Sequence, residues 1–205
     1  MNVGASHDAP RLLSDFYNKN RYKFKANPEE NAAYKTGKPD KEAYQRVRLY
    51  LIHLFTTIGS PQIWNGDEMG MWGADDPNCR KPLMWPELKF EKEYRNNFQP
   101  GAKQYDKIGF NKKHFELYRK LIQLRKENSV LSFGSFKFLV NEGKKLGYSR
   151  SDEANEIIVF FNLENSKSNF ELPEGDFIDL LTGKKFENRS IILKPMEAVV
   201  LKKIN

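Results

Sequence analysis

The chain has 205 residues, 39% of them hydrophobic and 13% aromatic, enough to build a sizeable core and too many for a disordered segment. Its net charge of +7 raises nucleic-acid binding, but Lys and Arg are scattered among acids, as in Glu91-Lys92-Glu93 and Lys126-Glu127, so a solvated surface is expected and no nucleic-acid partner. No apolar run approaches the roughly 20 residues that cross a bilayer, so no membrane partner is expected, and Met1 to Asp8 lack the pattern of a signal peptide. A longer parent could still carry one, which leaves localisation open.

In chain order, Asn2 to Ala5 reads as a short strand. A helix is expected from about Pro39 to Ile58, because Ala43, Val47, Tyr50, Leu51, Leu54 and Phe55 recur every three or four residues. Pro39 suits its first turn and Gly59 its end. Pro61 to Trp64 follows as a second short strand. Asn65 to Gly109, rich in Gly, Pro, Asn and Asp, reads as a long loop, and loops of this length in compact domains are usually functional. A second helix is expected from an Asn111 N-cap to about Glu127. His53 and His114 read as packing or surface residues on these helices. The single cysteine, Cys79, excludes an internal disulfide and a cysteine metal cluster and reads as incidental.

From Phe133 onward the period changes. Phe136–Val140, Leu146–Arg150, Ile157–Asn162, Phe177–Leu181, Ile191–Leu193 and Met196–Leu201 are short β-rich runs separated by turn signals. The expectation is an antiparallel sandwich over 133–205. Residues 1–132 have the strand–helix order of the last two units of a β/α barrel. The fold class is therefore α/β plus all-β: two β/α units of a TIM-type barrel, then an antiparallel β-sandwich. Since such a barrel closes with eight strands, the first region reads as truncated.

Three constellations could carry chemistry, each just after an expected strand, where barrels place their active sites. Ser6-His7-Asp8-Ala9-Pro10-Arg11 could present a polar pair to a pocket, or be a surface turn. Gly66-Asp67-Glu68-Met69-Gly70 could hold catalytic carboxylates, metal ligands or a tight turn. Asp75-Asp76-Pro77-Asn78-Cys79-Arg80, followed by Met84-Trp85, suits sugar recognition, with Asp accepting from hydroxyls, Arg donating in a fixed fork and a ring stacking on a pyranose. The same residues could make a salt-bridged loop over core tryptophans.

Taken together, these blocks resemble the α-amylase superfamily, glycoside hydrolase family 13, and most closely its neopullulanase and cyclomaltodextrinase group. Gly4 to Arg11 resembles the block after the seventh barrel strand, Gly59 to Met71 the block around the eighth, and Asp75 to Trp85 the substrate-side loop that follows. The β-rich end, with Asp179-Leu180-Leu181-Thr182-Gly183, resembles the family's C-terminal domain. The resemblance implies retaining hydrolysis of α-1,4 or α-1,6 glucosidic bonds in starch-derived oligosaccharides or cyclodextrins. It implies that Asp8 stabilises the transition state, that His7 binds the reacting sugar, and that Asp76 and Arg80 bind its neighbour; Glu68 is assigned to loop structure. No cofactor and no metal are implied, since the family's calcium ligands fall mostly outside these blocks. The family's nucleophile and general acid precede the His-Asp block, so the isolated chain is expected to be inactive, and the missing N-terminal part of the enzyme becomes a candidate partner. The alternative is a carbohydrate-binding or interaction module with no catalytic role. Most aromatics after Leu139 sit where a core needs them, which argues against that alternative.

Overall fold

The computed structural model describes residues 1–19, 25–95, 104–187 and 189–204. The part of the expected loop at 96–103 lies outside them. The chain forms two compact units, the first of residues 1–48 and 61–118, the second of 49–60 and 119–205.

In the first unit, β1 (Asn2–Val3) pairs in parallel with β2 (Pro61–Gln62), Asn2 opposite Pro61 and Val3 opposite Gln62. Both strands are shorter than expected. The Trp64 carbonyl already accepts the Asp67 N–H at 3.1 Å, and Gly66 sits at φ +96°, so the chain turns before a longer strand can form. An unexpected helix, α1 (Leu12–Tyr17), follows the His-Asp block. Its six residues are too few to show a period, and its Ser14 hydroxyl faces inward to accept the Gly73 N–H at 2.9 Å. The next helix, α2 (Lys41–Thr56), starts later than expected, because Asp40 rather than Pro39 sets the start: its carboxylate accepts the Ala43 N–H at 2.8 Å. The expected long loop contains turns and a small antiparallel pair, β3 (Glu93–Tyr94) with β4 (Tyr105–Asp106). Arg95 clamps that pair through two bonds to the Asp106 carboxylate, 2.7 and 2.9 Å, which hold the Asp106 pKa below the ordinary value. Met69, Met71 and Met84 form an apolar cluster with Leu83, Phe90, Ile108 and Phe110. Helix α3 (Lys112–Glu127) begins as expected at Asn111, whose side chain accepts the His114 N–H at 3.1 Å.

The second unit holds a one-turn helix, α4 (Val130–Phe133), and the strands β5 (Ser135–Glu142), β6 (Lys145–Ser151), β7 (Glu156–Asn162), β8 (Ser168–Glu171), β9 (Asp176–Asp179), β10 (Lys185–Phe186), β11 (Ser190–Leu193) and β12 (Glu197–Ile204). Six make one antiparallel sheet, ordered β10-β9-β12-β7-β6-β5, and β8 pairs with β11 in a second. Alternate residues of both sheets meet in one core: Ile158 and Phe160 of β7, Val199 and Leu201 of β12, Phe170 of β8, Ile191 and Leu193 of β11. Strand β7 is buried on both faces, which accounts for its unbroken run Ile157-Ile158-Val159-Phe160-Phe161. The expected strand Phe177–Leu181 stops at Asp179, whose carboxylate accepts from the Leu181 and Val200 N–H groups and the Thr182 hydroxyl and turns the chain. Strands β8 and β10 were not expected.

Arg150 of β6, 1% exposed, donates to five main-chain carbonyls: Thr56, Thr57, Leu131, Gly134 and Ser135. Arg125 donates to those of Phe55, Thr57 and Gly59. Together they satisfy the carbonyls at the end of α2, where the helix dipole favours cations.

Candidate functional site: the loops after the parallel strands

The loop after β1 carries His7 and Asp8, and the turns after β2 carry Asp76 and Arg80. The structure brings all four together. One Asp8 carboxylate oxygen lies 3.0 Å from His7 Nε2, and the other accepts from Arg80 Nη2 at 3.0 Å. Arg80 Nε lies 2.6 Å from an Asp76 carboxylate oxygen and 3.1 Å from the His7 carbonyl oxygen. Arg80 thus sits between two carboxylates, and Asp8 between two cationic or polar donors. The His7 and Asp8 side chains are each 66% exposed, Arg80 48% and Asp76 45%, so the cluster lines an open surface rather than a buried pocket. Asp76 also borders a cleft of about 70 Å³ lined in part by Asn27, Asn78, Tyr94 and Arg95. Carboxylate acceptors beside a guanidinium can meet hydroxyls of a sugar from both sides, and an exposed carboxylate can attract a developing positive charge.

Beneath the cluster the two remaining blocks interlock. Arg11, 2% exposed, donates from Nε to the Cys79 carbonyl at 2.9 Å. Its Nη1 donates to the Asn65 carbonyl at 3.0 Å and to the Asp67 carboxylate at 3.1 Å, and its guanidinium stacks 3.9 Å from the Trp64 ring. The Arg11 N–H donates to the Gly73 carbonyl at 3.1 Å, and the Cys79 thiol to the His7 carbonyl at 3.2 Å. Asp67 is 4% exposed, and burial pushes its carboxyl up to about 7 while Arg11 pulls it the other way. Of the Gly66–Gly70 acids, Asp67 is therefore Arg11's partner, and Glu68 accepts the Gly66 N–H at 2.9 Å within its own turn. Sequence reasoning gave Arg11 no role, because three of its acceptors are carbonyls, which any residue supplies. Met84 is buried, whereas Trp85 is 46% exposed.

The two histidines of the helices pack. His114 lies edge-on to Tyr44 and Tyr118, and burial lowers its pKa to about 4 against a hydrogen bond to the Asp67 main chain. His53 Nδ1 lies 3.2 Å from the Tyr148 hydroxyl, and burial lowers its pKa. Among the described residues, no three His, Cys, Asp or Glu are placed to hold a metal, and no helix is long and apolar enough to cross a membrane.

Comparison with known proteins gives a consistent picture. Residues 2–134 match the alpha-amylase family, described as "Alpha amylase, catalytic domain". The chain is 33% identical over 160 residues to a cyclomaltodextrinase of Thermoanaerobacter pseudethanolicus, covering 77% of this chain and 24% of that protein. It is 27% identical over 167 residues to neopullulanase 2 of Thermoactinomyces vulgaris, covering 76% and 25%. The chain thus spans about a quarter of the length of these curated relatives. Among solved structures, an alpha-amylase from Geobacillus thermoleovorans, complexed with acarbose, superposes with a TM-score of 0.65 at 17% identity, over 97% of this chain and 37% of that one. A maltogenic amylase from S. marinus gives 0.61 at 20% identity, over 97% and 21%. At these identities the structural likeness speaks for the fold alone.

Proposed function

The chain belongs to the alpha-amylase family of glycoside hydrolases, in its cyclomaltodextrinase and neopullulanase group, and from that premise we propose that it supplies the sugar-facing C-terminal part of an enzyme acting on α-glucans. Residues 1–132 form the last two β/α units of the catalytic barrel, with β1 and β2 as adjacent parallel strands, and 133–205 the C-terminal sandwich. The family match to residues 2–134 supports a boundary there. The substrates are starch-derived oligosaccharides or cyclodextrins, cleaved at α-1,4 or α-1,6 bonds with retention.

The observation that carries this reading is the junction of His7, Asp8, Asp76 and Arg80 at contact distance on one exposed face. In retaining hydrolysis the sugar passes through an oxocarbenium-like state. Asp8 opposes that charge more strongly in the transition state than in the bound substrate, the condition for lowering a barrel enzyme's barrier. His7 donates to the reacting sugar, and Asp76 and Arg80 hold the next one through acceptor and donor respectively. The nucleophile and the general acid lie outside these 205 residues, in the N-terminal part of the enzyme, and the chain alone does not hydrolyse glycosides.

The test is hydrolysis of β-cyclodextrin and maltotriose by the purified chain and by Asp8→Asn. No turnover from either is expected. Turnover abolished by Asp8→Asn would overturn the division of labour and place nucleophile and acid within this sequence. Maltotriose titrated into the isotope-labelled chain should shift the amide signals of residues 6–8 and 76–80. Shifts confined to the sandwich strands would favour the binding-module alternative.

A further inference from the structure

Arg11 stands outside the four residues just assigned, yet it touches every segment that holds them. Its main-chain N–H fixes the His-Asp loop to Gly73, its guanidinium anchors Asn65 and Asp67 after β2, and its Nε grips the carbonyl of Cys79, the residue immediately before Arg80. The return path is also present: the His7 carbonyl accepts from both the Cys79 thiol and Arg80 Nε. His7, Arg11, Cys79 and Arg80 therefore close a ring in which the Cys79 segment is held from two sides.

Arg80 itself is half exposed and carries a long, flexible side chain, so what fixes it against Asp8 is the placement of its main chain. We propose that Arg11 is the positioning residue of the site: by gripping the Cys79 carbonyl it sets Arg80 between Asp8 and Asp76. This rests on the reading that those three residues meet an α-glucan, and adds to it the device that organises them before sugar arrives. The planar fork is required, because it addresses Cys79, Asn65 and Asp67 at once, in directions a lysine's single ammonium does not span. Side chains that merely fill this part of the core, such as Leu12 and Leu13, do so without polar atoms aimed at the site's loops.

Cys79 is the chain's only cysteine and is fully buried, so its reaction with a thiol reagent reports directly on whether its segment is held down. Two variants are informative: Arg11→Lys, and Arg11→Met combined with Asp67→Asn, which removes both buried charges together and avoids leaving one unpaired. In either, native-state modification of Cys79 should accelerate roughly tenfold or more as the segment opens. The Arg80 Nε–H NMR signal should move toward that of a free arginine, while the Arg150 Nε–H signal stays in place as the folding control. A folded variant with Cys79 as unreactive as in the parent chain and an unmoved Arg80 signal overturns the proposal and leaves Arg11 a core residue. Maltotriose binding separates the two ideas. If the parent chain does not bind it, the α-glucan reading fails while the thiol and NMR results still judge Arg11. If the parent binds and Arg11→Lys binds equally well, the positioning role is overturned.

Discussion

At the residue scale, Asp67 and His114 work against each other as pH changes. The folded-state pKa of Asp67 is raised from 3.8 to about 7, so between those values the folded state binds more protons and stability falls as pH rises. That of His114 is lowered from 6.5 to about 4, so over that window the unfolded state binds more protons and stability rises with pH. The two slopes offset each other from about pH 4 to 6.5. His114→Phe should expose the Asp67 slope, and Asp67→Asn the His114 slope, the latter amounting to about 3 kcal/mol at most. Denaturant melts of the three proteins at pH 4.5, 5.5 and 6.5 check this; parallel curves would refute it. The Nε2 of His114 finds no partner among the described residues, but Phe also removes the hydrogen bond to the Asp67 main chain, a loss of about 1 kcal/mol that does not vary with pH once the imidazole is neutral. On the proposed sugar-binding role, Arg80→Ala should weaken maltotriose binding by about ten- to a hundredfold, the range for a hydrogen bond to a charged group; calorimetry or NMR titration would show it. That His7, Asp8, Asp76 and Arg80 lie together was legible in the sequence, because the blocks that carry them each follow one of the two expected parallel strands; the roles given to them belong to the proposal above. Arg11's hub was not legible, because only Asp67 among its acceptors is a side chain.

At the scale of elements, what could be read was what announces itself through side chains. The start of α3 was legible in Asn111, and the start of α2 was misplaced by one cue, Pro39, when Asp40 beside it does the capping. Asp40→Ala and Asn111→Ala should each cost about 1 kcal/mol and lower the melting temperature by about 2–4 °C, measurable by scanning calorimetry. Strand β8 escaped notice because, in Ser168-Asn169-Phe170-Glu171, Phe170 alone enters the core; β10 is two residues long. Helix α1 is one and a half turns whose Ser14 is spent on the Gly73 main chain. In β6, an added Cβ at Gly147 would stand 2.4 Å from the Phe160 ring, which is itself fully buried. Gly147→Ala should therefore cost about 1–3 kcal/mol through overpacking, and a loss below 0.5 kcal/mol in urea melts would contradict the packing described.

At the scale of the whole molecule, the change of period near Phe133 was the clearest signal, since alternation in strands and recurrence in helices cannot be confused over such lengths. Arginines are held in two ways. In the first unit Arg95 rests on the Asp106 carboxylate, while Arg11 and Arg80 divide their bonds between carboxylates and main-chain carbonyls. Asp106, with its lowered pKa, contributes stability that is present above the ordinary carboxylate value and lost as pH falls through the lowered one. In the second unit Arg150 and Arg125 rest on main-chain carbonyls, which do not titrate. On acidification, amide hydrogen exchange should therefore lose protection over 93–95 and 104–106 before 147–151 and 156–162. The reverse order would refute the comparison.

Arg150 carries one more implication, for how this segment tolerates change over generations. A pair of side chains can be broken at either end and repaired by exchanging both, which leaves a correlated trace at two positions. Five peptide oxygens offer no such route: whatever side chain stands at Thr57 or Ser135, its carbonyl stays where the backbone puts it. All the freedom lies with the acceptors and none with the donor. In a substitution scan, position 150 should accept nothing, lysine included, with no second-site change at its acceptors able to restore what is lost.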